Sequence, residues 1–318
     1  MNLMSKIYTF TQLLRNSPRR IPWSVYRNLA RAGITNFVPD KLHLQICYRL
    51  VFGRRLNLNS PQSYNEKIQW LKLNDRNPVY SLLVDKYEAK KLVAQKIGEK
   101  YIIPTLGVWD RFDEINFDEL PEQFVLKCTH DSGGVVICTD KSKLNKDAAK
   151  RKLEKSLKRN FYWWGREWAY KNIKPRIIAE KYMVDDSGFE LKDYKFICFN
   201  GIPQVLLLTS GRYQGDKQIN YFDMDMNLLP VSVAAVSAEN AAAPPKTFEE
   251  MKKLAGIMSY GITNVRVDFY EIGGQPYFGE MTFYDGCGFD SFIPDDFDFV
   301  LGKKMILPSK TETVHNKQ

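Results

Sequence analysis

The pattern that most constrains the fold is the stretch VRVDFYEIGGQPYFGEMTF at residues 265–283. Apolar and polar residues alternate on both sides of a Gly-Gly pair, which is typical of two antiparallel strands joined by a tight turn. A three-residue loop over residues 273–275 would pair Ile272 with Pro276. We therefore expect a long β-hairpin near the C-terminal end of the chain.

The other patterns indicate a mixture of helices and short strands. Residues 124–140, FVLKCTHDSGGVVICTD, predict a second hairpin, and the segments RIIAEKYM, DYKFICFNG and PQVLLLTSG predict further strands. Helical spacing predicts helices that begin near Tyr64, extend from Tyr80 to Gly98 and cover residues 141–159. No repeat of fixed period occurs, which excludes solenoids and propellers. The order of these elements predicts an α+β fold with largely antiparallel sheets.

Two carboxylates of the C-terminal hairpin are expected to face each other. Asp268 shares a strand face with Arg266, Glu280 shares one with Thr282, and the expected loop puts Asp268 opposite Glu280. Opposed carboxylates repel each other unless a cation lies between them, and hard oxygen ligands suit Mg²⁺. The alternatives are that one carboxylate pairs with Arg266 or faces solvent.

The hairpin at residues 124–140 carries a candidate phosphate site. Lys127 interrupts an apolar strand, so its side chain either reaches outward to solvent or points at an anion. The backbone N–H groups of Ser132, Gly133 and Gly134 can approach phosphate oxygens closely, although such a turn is also common at plain hairpin tips. For His130 we favour an ordinary loop position over a general-base role.

Two further strands each contain a charged residue in an apolar run, Glu180 in IIAEKYM and Lys195 in DYKFICF. A buried charge is unfavourable unless it has a partner. A nucleotide would satisfy both residues, because a carboxylate accepts hydrogen bonds from ribose hydroxyls and a lysine neutralises phosphate. The alternative is a cross-strand ion pair between Glu180 and Lys195.

The positive charge of the chain is concentrated at its N-terminal end. Of the net charge of +9, residues 1–60 contribute ten basic residues against one acid, Asp40, and the rest of the chain is neutral with 36 basic and 36 acidic residues. A basic segment with aromatic residues suggests docking to anionic lipid headgroups or to a polyanionic glycan, and not a nucleic-acid domain. The alternative is a solvated, helix-covered surface.

Cysteine content and hydropathy point to a reducing compartment. The five cysteines are odd in number and form no CxxC pair, which fits neither a disulfide framework nor a zinc site. No stretch has the roughly 18 to 20 consecutive apolar residues that a membrane-spanning helix needs, and the N-terminal residues are too polar for a secretory signal. We expect a cytoplasmic protein, peripheral at the inner face of the membrane if the basic segment docks there.

In combination, these motifs resemble the ATP-grasp superfamily and, within it, the TupA-like branch named for teichuronopeptide biosynthesis. The resemblance covers about residues 56–300 and rests on the order of LNLNSPQSYNEKIQWLKLND, VDKYEAKKLV, IIPTLGVWD, FVLKCTHDSGG, IIAEKYM, DYKFICFNG, VRVDFY and YFGEMTF. It implies the ATP-grasp fold, in which a nucleotide is held between two α+β subdomains.

The resemblance also implies roles for the nucleotide-side residues. Lys127 and Lys195 would contact the phosphates of ATP. The adenosine would be held by Glu180 and by the backbone of the three residues that follow it, Lys181, Tyr182 and Met183.

On the metal side, the resemblance implies that Asp268 and Glu280 bind Mg²⁺ and that Arg266 faces the transferred phosphoryl group or the intermediate. The usual ATP-grasp pattern has an asparagine two residues after the metal-binding glutamate, where this chain has Thr282. A threonine hydroxyl is also an oxygen ligand for Mg²⁺. Arg266 and Lys195 are the candidate catalytic residues.

The same resemblance suggests a division of the chain into five segments. Residues 1–58 form a basic helical arm, residues 59–115 precede the ATP-grasp core, and residues 116–181 form its lid subdomain. Residues 182–302 form the metal and nucleotide subdomain, and residues 303–318 are a tail.

The implied function is an ATP- and Mg²⁺-dependent ligase that forms an amide bond through an acyl phosphate. Its substrate would be a saccharide or polysaccharide precursor, or a peptide-bearing polymer of the cell surface. The alternatives are a glycosyltransferase of polysaccharide biosynthesis, an ATP-dependent glycan kinase and a non-catalytic scaffold. For the transferase, we expect the DxD match formed by Asp223, Met224 and Asp225 to be a turn.

An aromatic cluster follows the basic helix at residues 162–168. Its members, Tyr162, Trp163, Trp164 and Trp168, have the flat apolar faces that stack on sugars, but we favour core packing for them.

Overall fold

The computed structural model describes residues 21–188, 190–211, 217–233 and 244–309. Its helices are α1 (Ile21–Arg31), α2 (Asp40–Phe52), α3 (Tyr64–Asn74), α4 (Val79–Val84), α5 (Glu88–Ile97), α6 (Lys146–Leu157), α7 (Tyr162–Gly165), α8 (Phe248–Ser259) and α9 (Phe297–Lys304). Its strands are β1 (Thr105–Trp109), β2 (Phe124–Cys128), β3 (Val135–Cys138), β4 (Ile177–Lys181), β5 (Asp193–Phe199), β6 (Ile202–Ser210), β7 (Gln218–Phe222), β8 (Ser232–Val233), β9 (Asn264–Ile272), β10 (Gln275–Thr282) and β11 (Phe292–Ile293). The first 20 residues of the arm and the tail from residue 310 lie outside the described ranges.

The larger sheet has five antiparallel strands in the order β10-β9-β5-β6-β7. Its central strand β5 is buried along its whole length, which explains why its sequence is a nearly continuous apolar run. Helix α8 packs on β5, β6 and β9. Together with α3, α4, α5 and α9, this sheet contributes buried side chains to the main hydrophobic core.

The smaller sheet has four antiparallel strands in the order β1-β4-β2-β3. The basic segment at 141–159 forms α6, which packs on β2 and β3 and closes a second core around Phe124, Leu126 and Leu153. Strand β1 pairs with β4, so this sheet begins at Thr105. The expected boundary at residue 115 therefore divides a sheet that the structure holds together.

The C-terminal hairpin has a shorter loop than the sequence analysis expected. Ile272 pairs with Gln275 and not with Pro276, because the loop contains only two glycines. A β-bulge between Phe278 and Glu280 adds one residue to β10 and restores the alignment of Asp268 with Glu280. The predicted facing of these carboxylates is confirmed, although the expected pairing at the loop was wrong.

The helix predicted from Tyr80 to Gly98 is broken into α4 and α5. At the break, the Asp85 carboxylate accepts hydrogen bonds from the backbone N–H groups of Tyr87 and Glu88, at 2.8 and 3.0 Å. These groups lie at the start of α5 and have no partner within the helix, so the carboxylate caps it. The break turns the next side chain, Lys86, toward the smaller sheet.

The aromatic cluster joins the N-terminal helices to the rest of the protein. The Tyr162 hydroxyl donates to the carboxylate of Asp40 at 2.6 Å, and the fully buried Arg166 donates to the carbonyl oxygens of Thr35 and Val38. Tyr162 is itself buried. Core packing, the favoured role for the cluster, is confirmed for this residue.

Lys72 on α3 is a buried cation that joins three separate segments. Its Nζ donates to the carbonyl oxygens of Gly165 and Cys287, both at 2.8 Å, and to the side chain of Gln69 at 3.0 Å. Burial raises the pKa of the nearby Glu167. Lys72 is therefore the link that holds the loop after β10 to α3 and α7.

We expect Lys72→Ala to lower the free energy of unfolding by about 3 kcal/mol, because it leaves buried acceptors without a donor. Denaturant unfolding measures the change. Lys91→Ala is the matched control: its side chain is exposed, forms an ion pair with Glu88 and lies over the Tyr87 ring, so we expect a loss of at most about 1 kcal/mol. If both variants lose the same free energy of unfolding, the buried contacts of Lys72 stabilise the protein no more than an exposed ion pair does.

Candidate active site between the two sheets

A cavity of about 1120 Å³ lies between the two sheets. Strands β2, β3 and β4 form one wall, and β5, β6, β7, β9 and β10 form the other. Ligand cavities in proteins commonly have volumes of about 300 to 1,000 Å³. The cavity is therefore large enough for a nucleotide and part of a second substrate.

The smaller sheet contributes a buried carboxylate with two lysines. Glu180 on β4 accepts from Lys127 on β2 at 2.5 Å and from Lys90 on α5 at 2.6 Å. Burial disfavours the ionised form, but the two lysines outweigh it and lower the pKa of Glu180 below its ordinary value. The alternative cross-strand pair between Glu180 and Lys195 does not form, since the two residues lie in different sheets.

The larger sheet aligns three charged side chains on neighbouring strands. Lys195 on β5 pairs in register with Asp268 on β9, which pairs in register with Glu280 on β10. Lys195 Nζ lies 2.6 Å from Asp268 Oδ2 and 3.4 Å from Asp193 Oδ1. Burial opposes ionisation of Asp268, but Arg266 and Lys195 prevail and lower its pKa.

Arg266 contacts most of the acidic groups on this wall. Its guanidinium donates to Asp268 at 2.7 Å, to Glu280 at 3.3 Å, to the Thr282 hydroxyl at 3.2 Å and also to Asp285. Burial disfavours the charged form, but Asp268 and Asp285 raise the pKa of Arg266 well above its ordinary value. Arg266 is thus a fixed cation in the cavity wall.

Lys86 connects the two walls. Its Nζ donates to the Asp131 carbonyl in the smaller sheet at 2.7 Å and lies 3.8 Å from Glu280 Oε2 in the larger one. Its backbone N–H donates to the Thr129 carbonyl. Desolvation in the cavity opposes ionisation of Glu280, but Lys86 and Arg266 lower its pKa despite the nearby Asp268.

Among the oxygen donors of this wall, Glu280 is the accessible candidate ligand for Mg²⁺. The Glu280 side chain is 38% exposed, whereas that of Asp268 is 1% exposed and both its oxygens accept from Arg266 and Lys195. Mg²⁺ commonly takes one or two carboxylates and completes its shell with phosphate oxygens and water. Within the described ranges, no three acidic, histidine or cysteine side chains form a group that could hold an ion. The structure pairs Asp268 with Arg266, which was one of the alternatives that the sequence left open.

The tip of the β2-β3 hairpin reaches the cavity through two of its three small residues. Ser132 and Gly133 line the cavity. Gly134 is not among the residues that line the cavity, and it packs against Ser156 of α6, where a Cβ would clash. His130 is buried against carbonyl oxygens at the end of α6, as expected for a residue without a catalytic role.

Apolar and aromatic side chains line the side of the cavity next to Glu180. Lys181, Tyr182 and Met183 line it as the chain leaves β4, together with Ile103 and Val125. The Lys181 backbone N–H already donates to the Pro104 carbonyl at 3.0 Å.

Sequence reasoning missed Lys86 and Lys90, because both reach the site from a helical segment and not from the sheets. Lys90 lies one helical turn before the buried Val93, so a lysine at a core-facing position was the available signal. It also missed Asp285 and Asp290, which line the cavity in the loop after β10. Burial and the neighbouring Asp285 raise the pKa of Asp290 to about 7.

Glu180→Gln should reduce stability in a pH-dependent way. Because the folded pKa of Glu180 is lowered, its contribution is fully present above the unfolded pKa of about 4.3 and is lost as the pH falls through the folded pKa. We expect the free energy of unfolding of the variant to be about 2 to 3 kcal/mol lower than that of the unaltered protein at pH 7. This difference should become smaller below about pH 4.

Denaturant unfolding of both proteins from pH 7 to pH 3 measures this difference in the free energy of unfolding. Glu99→Gln, at an exposed position, is the matched control and should differ little from the unaltered protein at every pH. A difference for Glu180→Gln that stays constant over this range would contradict the assignment of an ionised, lysine-paired Glu180.

The comparison with curated proteins gave no match. Among solved structures, a D-alanine–D-alanine ligase from Bacillus anthracis with ATP is 19% identical with a TM-score of 0.35, over 64% of this chain and 54% of that chain. An L-amino acid ligase from Bacillus licheniformis is 14% identical with a TM-score of 0.42, over 79% of this chain and 57% of that chain. This chain thus spans little more than half the length of either protein.

A family model described as TupA-like ATP-grasp matches residues 66–306. This range includes every strand of the two sheets and all the cavity residues described above. The expected α+β ATP-grasp fold, with a cavity between two antiparallel sheets, is confirmed. The chain belongs to the TupA-like ATP-grasp family.

Proposed function

We propose that this protein is an ATP- and Mg²⁺-dependent ligase that joins an amine to a carboxylate of a cell-surface polysaccharide or peptide-bearing polymer precursor. The observation that carries the proposal is the arrangement of cations around one cavity. Lys127 comes from the smaller sheet, Lys195 and Arg266 come from the larger one, and Lys86 lies between them. Such a set suits a triphosphate better than any neutral ligand.

The proposed reaction has two steps. A carboxylate oxygen of the substrate forms a bond to the γ-phosphorus of ATP while the bond to ADP breaks, which gives an acyl phosphate. The amine nitrogen then forms a bond to the carbonyl carbon while the bond to phosphate breaks, and the nitrogen loses a proton to solvent. Transfer of this kind depends on positioning and charge neutralisation, which the cavity cations provide.

Each cation has a separate task in this proposal. Lys127 neutralises a phosphate next to the adenosine side, while Lys195 and Arg266 stabilise the charge that develops on the transferred group. Asp268 contacts both Lys195 and Arg266, and it would hold them in position when they bind phosphate. Glu280, and Asp268 if its partners shift, would hold Mg²⁺, which neutralises charge on the phosphate oxygens.

The β2-β3 hairpin is suited to cover the nucleotide. Its tip residues Ser132 and Gly133 line the cavity but are exposed, and Lys86 links its base to Glu280. A cover over the site excludes water, which would otherwise hydrolyse the acyl phosphate.

Hydroxylamine trapping tests the reaction directly, because hydroxylamine attacks an acyl phosphate and gives a stable hydroxamate. The protein is incubated with ATP, Mg²⁺, hydroxylamine and one carboxylate at a time: glucuronate, galacturonate or glutamate. We expect at least one acid to give hydroxamate and ADP in equal amounts. The Arg266→Lys variant should give neither, and Arg111→Lys, at an exposed position, should behave as the unaltered protein.

Other outcomes identify the alternatives. ADP with a phosphorylated sugar and no hydroxamate indicates a glycan kinase, which would use the same nucleotide site. Release of UDP from a UDP-sugar with no use of ATP indicates a glycosyltransferase. For the latter, Asp223 and Asp225 lie in an exposed turn, as expected, where the Asp223 carboxylate accepts from the N–H groups of Asp225 and Asn227.

A further inference from the structure

The N-terminal helices carry a cluster of exposed apolar side chains that the proposed reaction does not use. Their exposed fractions range from 39% for Leu29 to 85% for Phe37. The cluster, here named the α1–α2 face, consists of Val25, Leu29, Ile34, Phe37 and Leu42. Single exposed apolar residues are ordinary, but five within 18 positions form a pattern that marks an interaction site.

Helix α1 presents its part of this face as a continuous stripe. Pro22, Val25, Leu29 and Ala32 are exposed at spacings of three and four residues, so they follow one side of the helix. Ala30 is buried on the opposite side. The Ile34 backbone N–H donates to the Leu29 carbonyl, which joins the stripe to the turn after the helix.

The charges around the α1–α2 face are positive. Arg31, Lys41, Arg49 and Arg55 are exposed on α1, on α2 and after it. Asp40 is the only acid in this part of the sequence; its carboxylate accepts hydrogen bonds from Tyr162 and Arg76 and forms an ion pair with Arg166. It therefore does not offset the basic surface.

Other elements hold this basic and apolar surface in place. Arg31 stacks on Trp164 at 5.2 Å, and Trp23 packs on Trp164 and Phe289. The Tyr26 hydroxyl lies 3.1 Å from Nδ1 of the buried His43. The inner side of α1 is thus anchored to the protein while its apolar stripe stays exposed.

We propose that the α1–α2 face docks the protein onto an anionic lipid bilayer. Apolar side chains enter the boundary between headgroups and acyl chains, and the surrounding lysine and arginine residues bind anionic headgroups. Among the described helices, none is both long and apolar enough to cross a bilayer, so the contact would be peripheral. This inference is independent of the proposed reaction.

The chemistry of the face separates this partner from two others. A polyanionic glycan offers charge but no apolar interior for Phe37 and Ile34. A second copy of the chain would bring two basic faces together in a symmetric dimer, where like charges repel. A bilayer with anionic lipids satisfies both the charge and the apolar surface.

Co-sedimentation of the full chain with vesicles tests the proposal. The vesicles are phosphatidylcholine with or without about one third phosphatidylglycerol, at about 0.1 M salt. We expect binding to the anionic vesicles, weaker binding in high salt and little binding to neutral vesicles. Ile34→Glu/Phe37→Glu should weaken binding at least tenfold, and Lys41→Glu/Arg49→Glu at least fivefold.

The matched control is Ile202→Glu/Ile306→Glu, two isoleucines that are 61% and 71% exposed outside the α1–α2 face. It should bind as the unaltered protein does, and thermal unfolding should show that every variant keeps its fold. Equal binding to both kinds of vesicle, or equal loss in the control, would overturn the proposal. So would binding of heparin without binding of vesicles, or a dimer in size-exclusion chromatography that depends on Phe37.

Discussion

Replacing Arg266 with lysine is expected to lower carboxylate-dependent ADP release by about 100- to 1,000-fold, while the affinity for ATP changes little. Arg266 donates to four oxygen-bearing side chains through its three nitrogens, and Nη2 serves both Glu280 and Thr282. Lysine keeps the positive charge but lacks the planar fork, so it cannot hold these acids and a developing phosphoryl charge at once. Steady-state kinetics measures the rate of ADP release, with the acid that gives hydroxamate in the trapping experiment as substrate. Calorimetry measures the affinity for ATP.

Two observations keep this prediction specific. Circular dichroism and thermal unfolding should show that the lysine variant is folded, because Asp268 keeps Lys195 as a second cation. Arg111→Lys, whose exposed side chain pairs only with Glu114, should leave the rate unchanged. A folded Arg266→Lys protein with full ADP release would exclude Arg266 from the reaction.

The second large effect separates the two carboxylates of the C-terminal hairpin. We expect Glu280→Gln to lower ADP release about 100-fold or more, because it removes the accessible ligand for Mg²⁺, while stability stays within about 1 kcal/mol. We expect Asp268→Asn to lower both activity and stability, the latter by about 3 kcal/mol, because Lys195 and Arg266 each lose a charged partner that is itself buried. Activity assays and denaturant unfolding of both variants measure this difference.

The reason for the difference is exposure. Asp268 is 1% exposed and acts within the fold as the partner of Lys195 and Arg266, whereas Glu280 opens into the cavity. If Glu280→Gln unfolds the protein while Asp268→Asn does not, the roles given to the two carboxylates are wrong.

The pairing of Asp268 with Glu280 was predictable from the sequence, but for an incomplete reason. Alternation fixes which side chains share a strand face, and this holds for Arg266 and Asp268. The bulge at Gly279 depends on local crowding: a Cβ there would lie 3.1 Å from both the Asp268 carbonyl oxygen and the Tyr270 ring. The alternation of apolar and polar residues contains no signal for such a bulge. The expected loop was one residue too long, and this offset the extra residue of the bulge, so Asp268 was still placed opposite Glu280.

The partners of the buried charges were less predictable. The patterns identified Glu180, Lys127 and Lys195 as charges that need partners, and all three contribute to the cavity. Which charges pair depends on how the two sheets face each other, and spacing along one strand contains no information about that. Glu180 therefore pairs with Lys127 and with Lys90 from a helix, and Lys195 pairs with Asp268.

Helix breaks show the same limit. Helical periodicity continues from Tyr80 to Gly98, yet the Asp85 side chain ends one helix and caps the next. Aspartate also occurs inside helices, so helical spacing alone does not identify Asp85 as a cap.

We propose that the cavity between the two sheets binds a magnesium-linked adenine nucleotide. Calorimetric titration with a non-hydrolysable ATP analogue, with and without Mg²⁺, tests this binding. We expect binding that tightens with Mg²⁺ and weakens at least about tenfold in Lys127→Ala, but not in Lys143→Ala, whose exposed side chain pairs with Asp140. Equal affinity for the analogue in both variants, or no binding to the unaltered protein, would contradict it.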